Sequence, residues 1–162
     1  MDSMRWTYLD KVRDFLKPGT RVLDLGGGGG DLLLPMLRDG RPAAGLGEAT
    51  LEQRLAALGV TLYRAQGERG LPFAEGSFQL VLCRHQSFRL DQIRRVLARG
   101  GFFLTQQIGG RDSQRPGPAD FNLENQLPLF RQAGFRIMYR NQSYEREGGA
   151  LRHRFIIIAK KK

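Results

Sequence analysis

With 162 residues, 41% of them hydrophobic, the chain is long enough to bury a core of its own as one domain, 1–162, without disulfide or metal staples. Its single cysteine, Cys83, excludes an internal disulfide and a cysteine-rich zinc site. No apolar run reaches membrane-spanning length, and the acids Asp2, Asp10 and Asp14 in Met1–Leu16 do not suit a secretion signal, so the cytoplasm is the expected location. The formal net charge of +10 admits nucleic acid or another anionic partner, yet apart from Lys160–Lys162 the basic residues are scattered.

The elements alternate between helix and strand, the pattern of an α/β sheet. Trp6, Leu9, Val12, Phe15 and Leu16 recur at helical spacing, and Pro18-Gly19 ends that helix. Arg21–Leu25 reads as a short strand followed by five glycines, with Asp31 opening a helix to about Leu37. A strand with two glycines follows over Ala43–Gly47, then a helix over Leu51–Leu58 with Thr50 as N-cap, then a strand over Val60–Ala65. Phe78–Cys83 is the fourth strand and Leu90–Ala98 a helix. Gly100-Gly101 turns the chain into the fifth strand, Phe102–Gln106. Gly109–Asp120, rich in Gly, Pro, Arg and Asp, reads as a mobile loop. A helix over Leu123–Ala133 precedes two strands, Phe135–Tyr144 and Leu151–Ala159, joined around Gly148-Gly149 as an antiparallel hairpin.

The strongest chemical signal is Val22-Leu23-Asp24-Leu25-Gly26-Gly27-Gly28-Gly29-Gly30-Asp31. A strand feeding a glycine turn and then a helix brings backbone N–H groups close to a ligand with no side chains between. The dinucleotide fingerprint G-x-G-x-x-G fails, because its sixth position falls on Asp31 or Leu32. Asp31 would also repel a pyrophosphate at the helix start. The pattern D-x-G-x-G-x-G is met by Asp24, Gly26, Gly28 and Gly30, and nearby carboxylates suit a cationic sulfonium ligand.

These residues resemble the first motif of the class I S-adenosylmethionine-dependent methyltransferases, and the resemblance runs from about Val22 to Gly110. It implies a seven-stranded, doubly wound, mostly parallel sheet, a Rossmann-like methyltransferase fold, with strand order 3-2-1-4-5-7-6. It also implies S-adenosylmethionine as cofactor. Asp24 and the loop glycines Gly26, Gly28 and Gly30 would hold its methionine part. Glu48, about twenty residues beyond the glycines, would take the ribose hydroxyls, and Gln66 and Glu68 would lie at the adenine. Leu71–Val81 and Arg95–Gly101 look like later family stretches. Arg84–Phe88 and Thr105–Gly110 are similar to a group of small bacterial methyltransferases of unassigned substrate.

Ligands of open α/β sheets lie beyond the C-terminal ends of the strands, which singles out Arg84–Phe88 and Gln106-Gln107. His85 is the candidate catalytic base, with fixing its loop by hydrogen bonds as the alternative. Gln106 and Gln107 would either orient a substrate or cap loop backbone. Cys83 reads as a packing residue and His153, between Arg152 and Arg154, as a surface position. No Asn/Asp-Pro-Pro-aromatic motif follows the fourth strand, and no metal-binding constellation is present. The expected activity is methyl transfer to an unidentified acceptor, a small molecule ahead of RNA. Gln66, Gln79 and Arg99 depart from the family's usual residues. With the basic balance, they leave open a catalytically silent protein of the same fold that binds a partner or RNA.

Overall fold

The computed structural model describes residues 3–26 and 51–162. In chain order these form α1 (Ser3–Phe15), β1 (Arg21–Leu25), α2 (Leu51–Ala57), β2 (Thr61–Ala65), β3 (Phe78–Arg84) and α3 (Leu90–Val96). β4 (Leu97–Ile108), α4 (Leu123–Gln132), β5 (Phe135–Glu147) and β6 (Ala150–Lys161) complete them. The described strands make one six-stranded sheet in the order β2-β1-β3-β4-β6-β5. β1 to β4 are parallel, and β6 pairs antiparallel with both β4 and β5. The α/β class and the C-terminal hairpin match the sequence expectation; the count of seven and the order 3-2-1-4-5-7-6 do not.

The difference lies at one edge. The expected strand Ala43–Gly47 falls outside the described residues, but the place it was assigned, between the first and third strands, is taken. β1 and β2 pair directly, Arg21 beside Thr61 through Leu25 beside Ala65. Backbone bonds extend this ladder at both ends, Thr61 N–H to the Thr20 carbonyl and Gly26 N–H to the Ala65 carbonyl, each at 3.0 Å. With that edge of β1 saturated, no strand fits between them.

β1 and β3 are nearly continuous apolar runs because both faces of a parallel sheet are covered. Leu23, Leu25, Val81, Cys83 and Phe103 pack on one face against Ile93 and Val96 of α3 and Leu127 and Phe130 of α4. Val22, Leu80, Leu82 and Leu104 pack on the other against Tyr8, Leu9 and Val12 of α1 and Leu55 of α2. The inner stripe of α1 is therefore Met4, Tyr8, Leu9 and Val12, whereas Trp6, grouped with that stripe from the sequence, is half exposed. α3 stops at Val96, earlier than expected, and Gly100, at φ 76°, sits in a bulge within β4 rather than before it. There the register jumps from Phe78–Leu97 to Leu80–Phe102. Asn122 caps α4 by accepting the Asn125 N–H at 3.0 Å. Gly148 and Gly149, both at positive φ, make the two-residue hairpin turn.

The stretch Gly109–Asp120, expected to be mobile, is pinned to the sheet. Gly109 N–H donates to the His153 carbonyl, Gly110 N–H to the Phe121 carbonyl, and Ser113 and Leu151 exchange a pair of hydrogen bonds. Two glycines allow this approach. A Cβ on Gly109 would overlap the His153 ring, and one on Gly110 would overlap the Pro118 carbonyl. Gly109→Ala and Gly110→Ala are each expected to lower the unfolding free energy in urea by about 2 kcal/mol. Gly70→Ala, where the added methyl meets nothing within 4 Å, should stay within about 0.5 kcal/mol of wild type.

Candidate active site

Because β1 to β4 run parallel, Asp24–Gly26, Gln66–Glu68, His85–Phe88 and Gln106–Ile108 gather at one edge of the sheet. The His85–Phe88 loop lies down on the first two strand ends. A Cβ on Gly26 would stand 2.7 Å from Gln86 Cγ, and one on Gly67 would stand 2.6 Å from the Ser87 carbonyl. Only glycine permits that seating, and Gly26 also takes φ 139°. Gln107 fastens the loop from β4: its Nε2 donates to the Gln86 carbonyl at 3.1 Å and to Thr105 Oγ1 at 2.8 Å. Of the two roles left open for this residue, it fills the loop-capping one. Gln106 instead accepts from Arg84 Nε at 2.8 Å, and its Nε2 is buried without a hydrogen-bond partner.

Asp24 is 7% exposed, and its Oδ2 is buried with no hydrogen-bond partner. Burial pushes its carboxyl up from the ordinary 3.8 to about 6, against the pull of the Arg64 guanidinium. A buried carboxylate oxygen without a partner costs stability unless a donor or cation arrives to meet it.

His85 holds a left-handed backbone, φ 56°, the only non-glycine residue at positive φ among the described residues. Its N–H donates to the Gln106 carbonyl at 2.9 Å, while Nε2 is buried and unpartnered. Burial, then the guanidinium charges of Arg84, Arg154 and Arg115, lower its pKa from 6.5 to about 3, with Asp112 opposing. The ring is therefore neutral at pH 7. Beside it opens a cleft of about 710 Å³ between His85–Phe88, Leu90, Gln107-Ile108, Arg115-Pro116, Phe121 and two residues of α4, Gln126 and Leu129. That volume is in the range of small-molecule sites. Gln86 both lines this cleft and covers Gly26, so it joins the end of β1 to the cleft.

No protein-family model matches the chain, and no curated protein matches it by sequence. Solved structures do match. One is an S-adenosylmethionine-dependent methyltransferase from Mesorhizobium loti, 16% identical, with 99% of each chain covered and a TM-score of 0.60. Another is 1,6-didemethyltoxoflavin-N1-methyltransferase from Burkholderia thailandensis, determined with bound 1,6-didemethyltoxoflavin and S-adenosylhomocysteine. It is 19% identical, with 99% of this chain and 79% of that one covered, at a TM-score of 0.62. The chain has the fold of S-adenosylmethionine-dependent methyltransferases. The cyclase SpnF shares it as well, at 17% identity and a TM-score of 0.64 over 96% of this chain and 80% of that one. The methyltransferase fold by itself therefore does not name the reaction.

Within this methyltransferase fold, Asp24, Gly26 and His85 stand at the edge where the sequence put them. Gln66 and Glu68 follow the end of β2 as exposed residues. Gly28, Gly30 and Glu48 lie outside the described residues. Cys83 is fully buried, and burial, with the Asp24 charge, pushes its thiol up to about 12, which makes it a packing residue and no nucleophile. His153 corrects the sequence reading: it is fully buried because the Gly109–Asp120 stretch lies over it. Its Nδ1 accepts the Arg111 N–H at 3.2 Å, its Nε2 lies 2.8 Å from Gln142 Oε1, and Tyr144 stacks on the ring at 4.3 Å. Arg115, Phe121 and Gln126 were missed. They come from a loop and a helix, and only their composition was visible.

Asp24 and His85 give opposite pH dependences. His85 has a lowered folded pKa, so its contribution is intact above pH 6.5 and is lost as pH falls from 6.5 towards 3. Asp24 has a raised folded pKa, so its contribution is full below pH 3.8 and is lost as pH rises through 6. Between these limits the two oppose each other in the wild type. His85→Gln is therefore expected to gain stability relative to wild type when urea unfolding is moved from pH 7 to pH 5. An unchanged difference would contradict the buried, neutral imidazole.

Proposed function

We propose that the protein transfers a methyl group from S-adenosylmethionine to a small-molecule acceptor held in the cleft beside His85, acting as a single cytoplasmic domain. The observation that carries this reading is the buried Asp24 carboxylate, with Oδ2 unpartnered among the described residues, on a strand followed in sequence by five glycines in a chain of this fold. The cofactor's sulfonium and ammonium are the kind of charge such a carboxylate would receive. When bound, S-adenosylmethionine supplies an electrophilic methyl carbon on a good leaving group, so alignment is the protein's main task.

In this reading Asp24 and the backbone of Gly26, Gly28 and Gly30 hold the methionine part, Glu48 the ribose, and Gln66 and Glu68 the adenine side. Gln86 sets the spacing between the glycine turn and the cleft. His85, which lines the cleft, is the residue the acceptor's O–H faces in this reading. A base of pKa about 3 does not ionise an alcohol beforehand. It does take the proton from an oxygen made cationic by gaining the methyl group. Proton transfer then follows bond formation.

A shift in melting temperature with S-adenosylmethionine and none with NAD tests this reading. Equal shifts would overturn it. Retention on RNA without donor binding would favour the catalytically silent reading, which the charge of +10 supports.

A further inference from the structure

The lining of the cleft has a sign. Arg115 is the only charged side chain among the described residues that line it; the rest are amides, a serine, His85 and apolar groups. Asp112, the nearby acid, faces away: its Oδ2 accepts from Arg154 and from the His153 N–H. Asp112 Oδ1 accepts the N–H groups of Gln114 and Arg115, both at 3.0 Å, so a carboxylate only 2% exposed fixes the backbone that carries Arg115. The same positive surroundings act on His85, which feels Arg84, Arg154 and Arg115 together. Phe88 and Phe121 offer flat apolar walls. Each is braced edge-on by the core, Phe88 against Phe103 and Phe121 against Phe155, both at 5.3 Å.

We propose that the acceptor bound in this cleft is a small aromatic carboxylate, its anionic group held by Arg115 and its ring packed against Phe88 and Phe121. The carboxylate pairs with the guanidinium in a charge-assisted, two-pronged contact that a neutral analogue cannot make. A cationic analogue meets Arg115 with no carboxylate among the described lining residues to receive it. The ring directs a second substituent, a hydroxyl group, toward the His85 side of the cleft. This proposal deepens the methyl-transfer reading and rests on it for the word acceptor, although the anion site can be measured without the donor.

The test is calorimetric titration of the full chain with three probes of similar size: 4-hydroxybenzoate, phenol and tyramine. 4-Hydroxybenzoate is expected to bind at least about 10-fold more tightly than phenol, and tyramine more weakly still. Arg115→Gln should weaken 4-hydroxybenzoate about 10-fold and leave phenol unchanged. Arg99→Gln, an equal loss of charge at an exposed site at the opposite end of β4, should change neither. Equal binding of the three probes, an unaffected Arg115→Gln variant, or an equal loss in Arg99→Gln would overturn the proposal. So would the absence of 4-hydroxybenzoate binding. A parallel titration with S-adenosylhomocysteine reads the donor site independently. Its failure beside intact Arg115-dependent binding would remove methyl transfer and leave the anion site standing.

Discussion

Asp24→Asn is expected to lose affinity for S-adenosylmethionine by about 10- to 100-fold while unfolding at higher urea than the wild type at pH 7.5. The two effects share one cause. Asp24 is buried with an oxygen that no described residue meets, and its raised pKa of about 6 records the cost of ionising it there. Replacing the carboxylate by an amide removes that cost, a gain of about 1 kcal/mol above pH 6 after allowing for the amide's own burial. Binding a cation should draw the carboxyl back down, so donor binding near pH 6 should release a proton. Calorimetry in two buffers of different ionisation enthalpy measures that release, and Asp24→Asn should abolish it. A variant that loses both stability and affinity would instead mark Asp24 as a structural residue.

Asp112→Ala carries the second large effect, a loss of about 3–5 kcal/mol in urea unfolding free energy. Burial pushes the Asp112 carboxyl up, but hydrogen bonds from Arg154, His153 and Arg115 outweigh it and hold the group below the ordinary carboxylate range. Removing it takes a carboxylate from beside Arg154, itself 9% exposed, and releases two N–H groups of the loop at once. A depressed carboxyl contributes above its unfolded pKa and is lost as pH falls through its folded one, so the gap between variant and wild type should narrow as the solution is acidified below the ordinary carboxylate range. Because the loop carries Arg115, the variant that remains folded should also bind 4-hydroxybenzoate less tightly. A loss under about 1 kcal/mol would contradict the anchoring role.

The elements that could be read from the sequence were those whose signal is local. Arg21–Leu25 stands as expected because an apolar run ending in glycines admits few alternatives, and the hairpin because Gly148-Gly149 interrupts two alternating strands. The position of Asp24 and His85 at one edge followed from parallel strands alone. What failed was pairing across distance. Nothing near Thr61–Ala65 announces that it will lie directly against Arg21–Leu25. Gly109–Asp120 has the composition of a mobile segment, yet Asp112 meets Arg154 forty-two residues later, and that contact turns the loop into a wall of the cleft. His153 looked exposed because arginines flank it, whereas Arg154 is buried by the same carboxylate that orders the loop. Arg115 could not be singled out until that wall existed.

In the proposed function, Asp24 and the glycines that follow it bind S-adenosylmethionine. Calorimetric titration of the folded chain with S-adenosylmethionine and S-adenosylhomocysteine tests it most directly, with Glu48→Ala alongside as the second acid of the expected site. Binding of both ligands with dissociation constants of about 1–100 μM, weakened in Glu48→Ala, is the predicted result. No heat of binding up to about 1 mM ligand, from a protein that unfolds cooperatively, would contradict it.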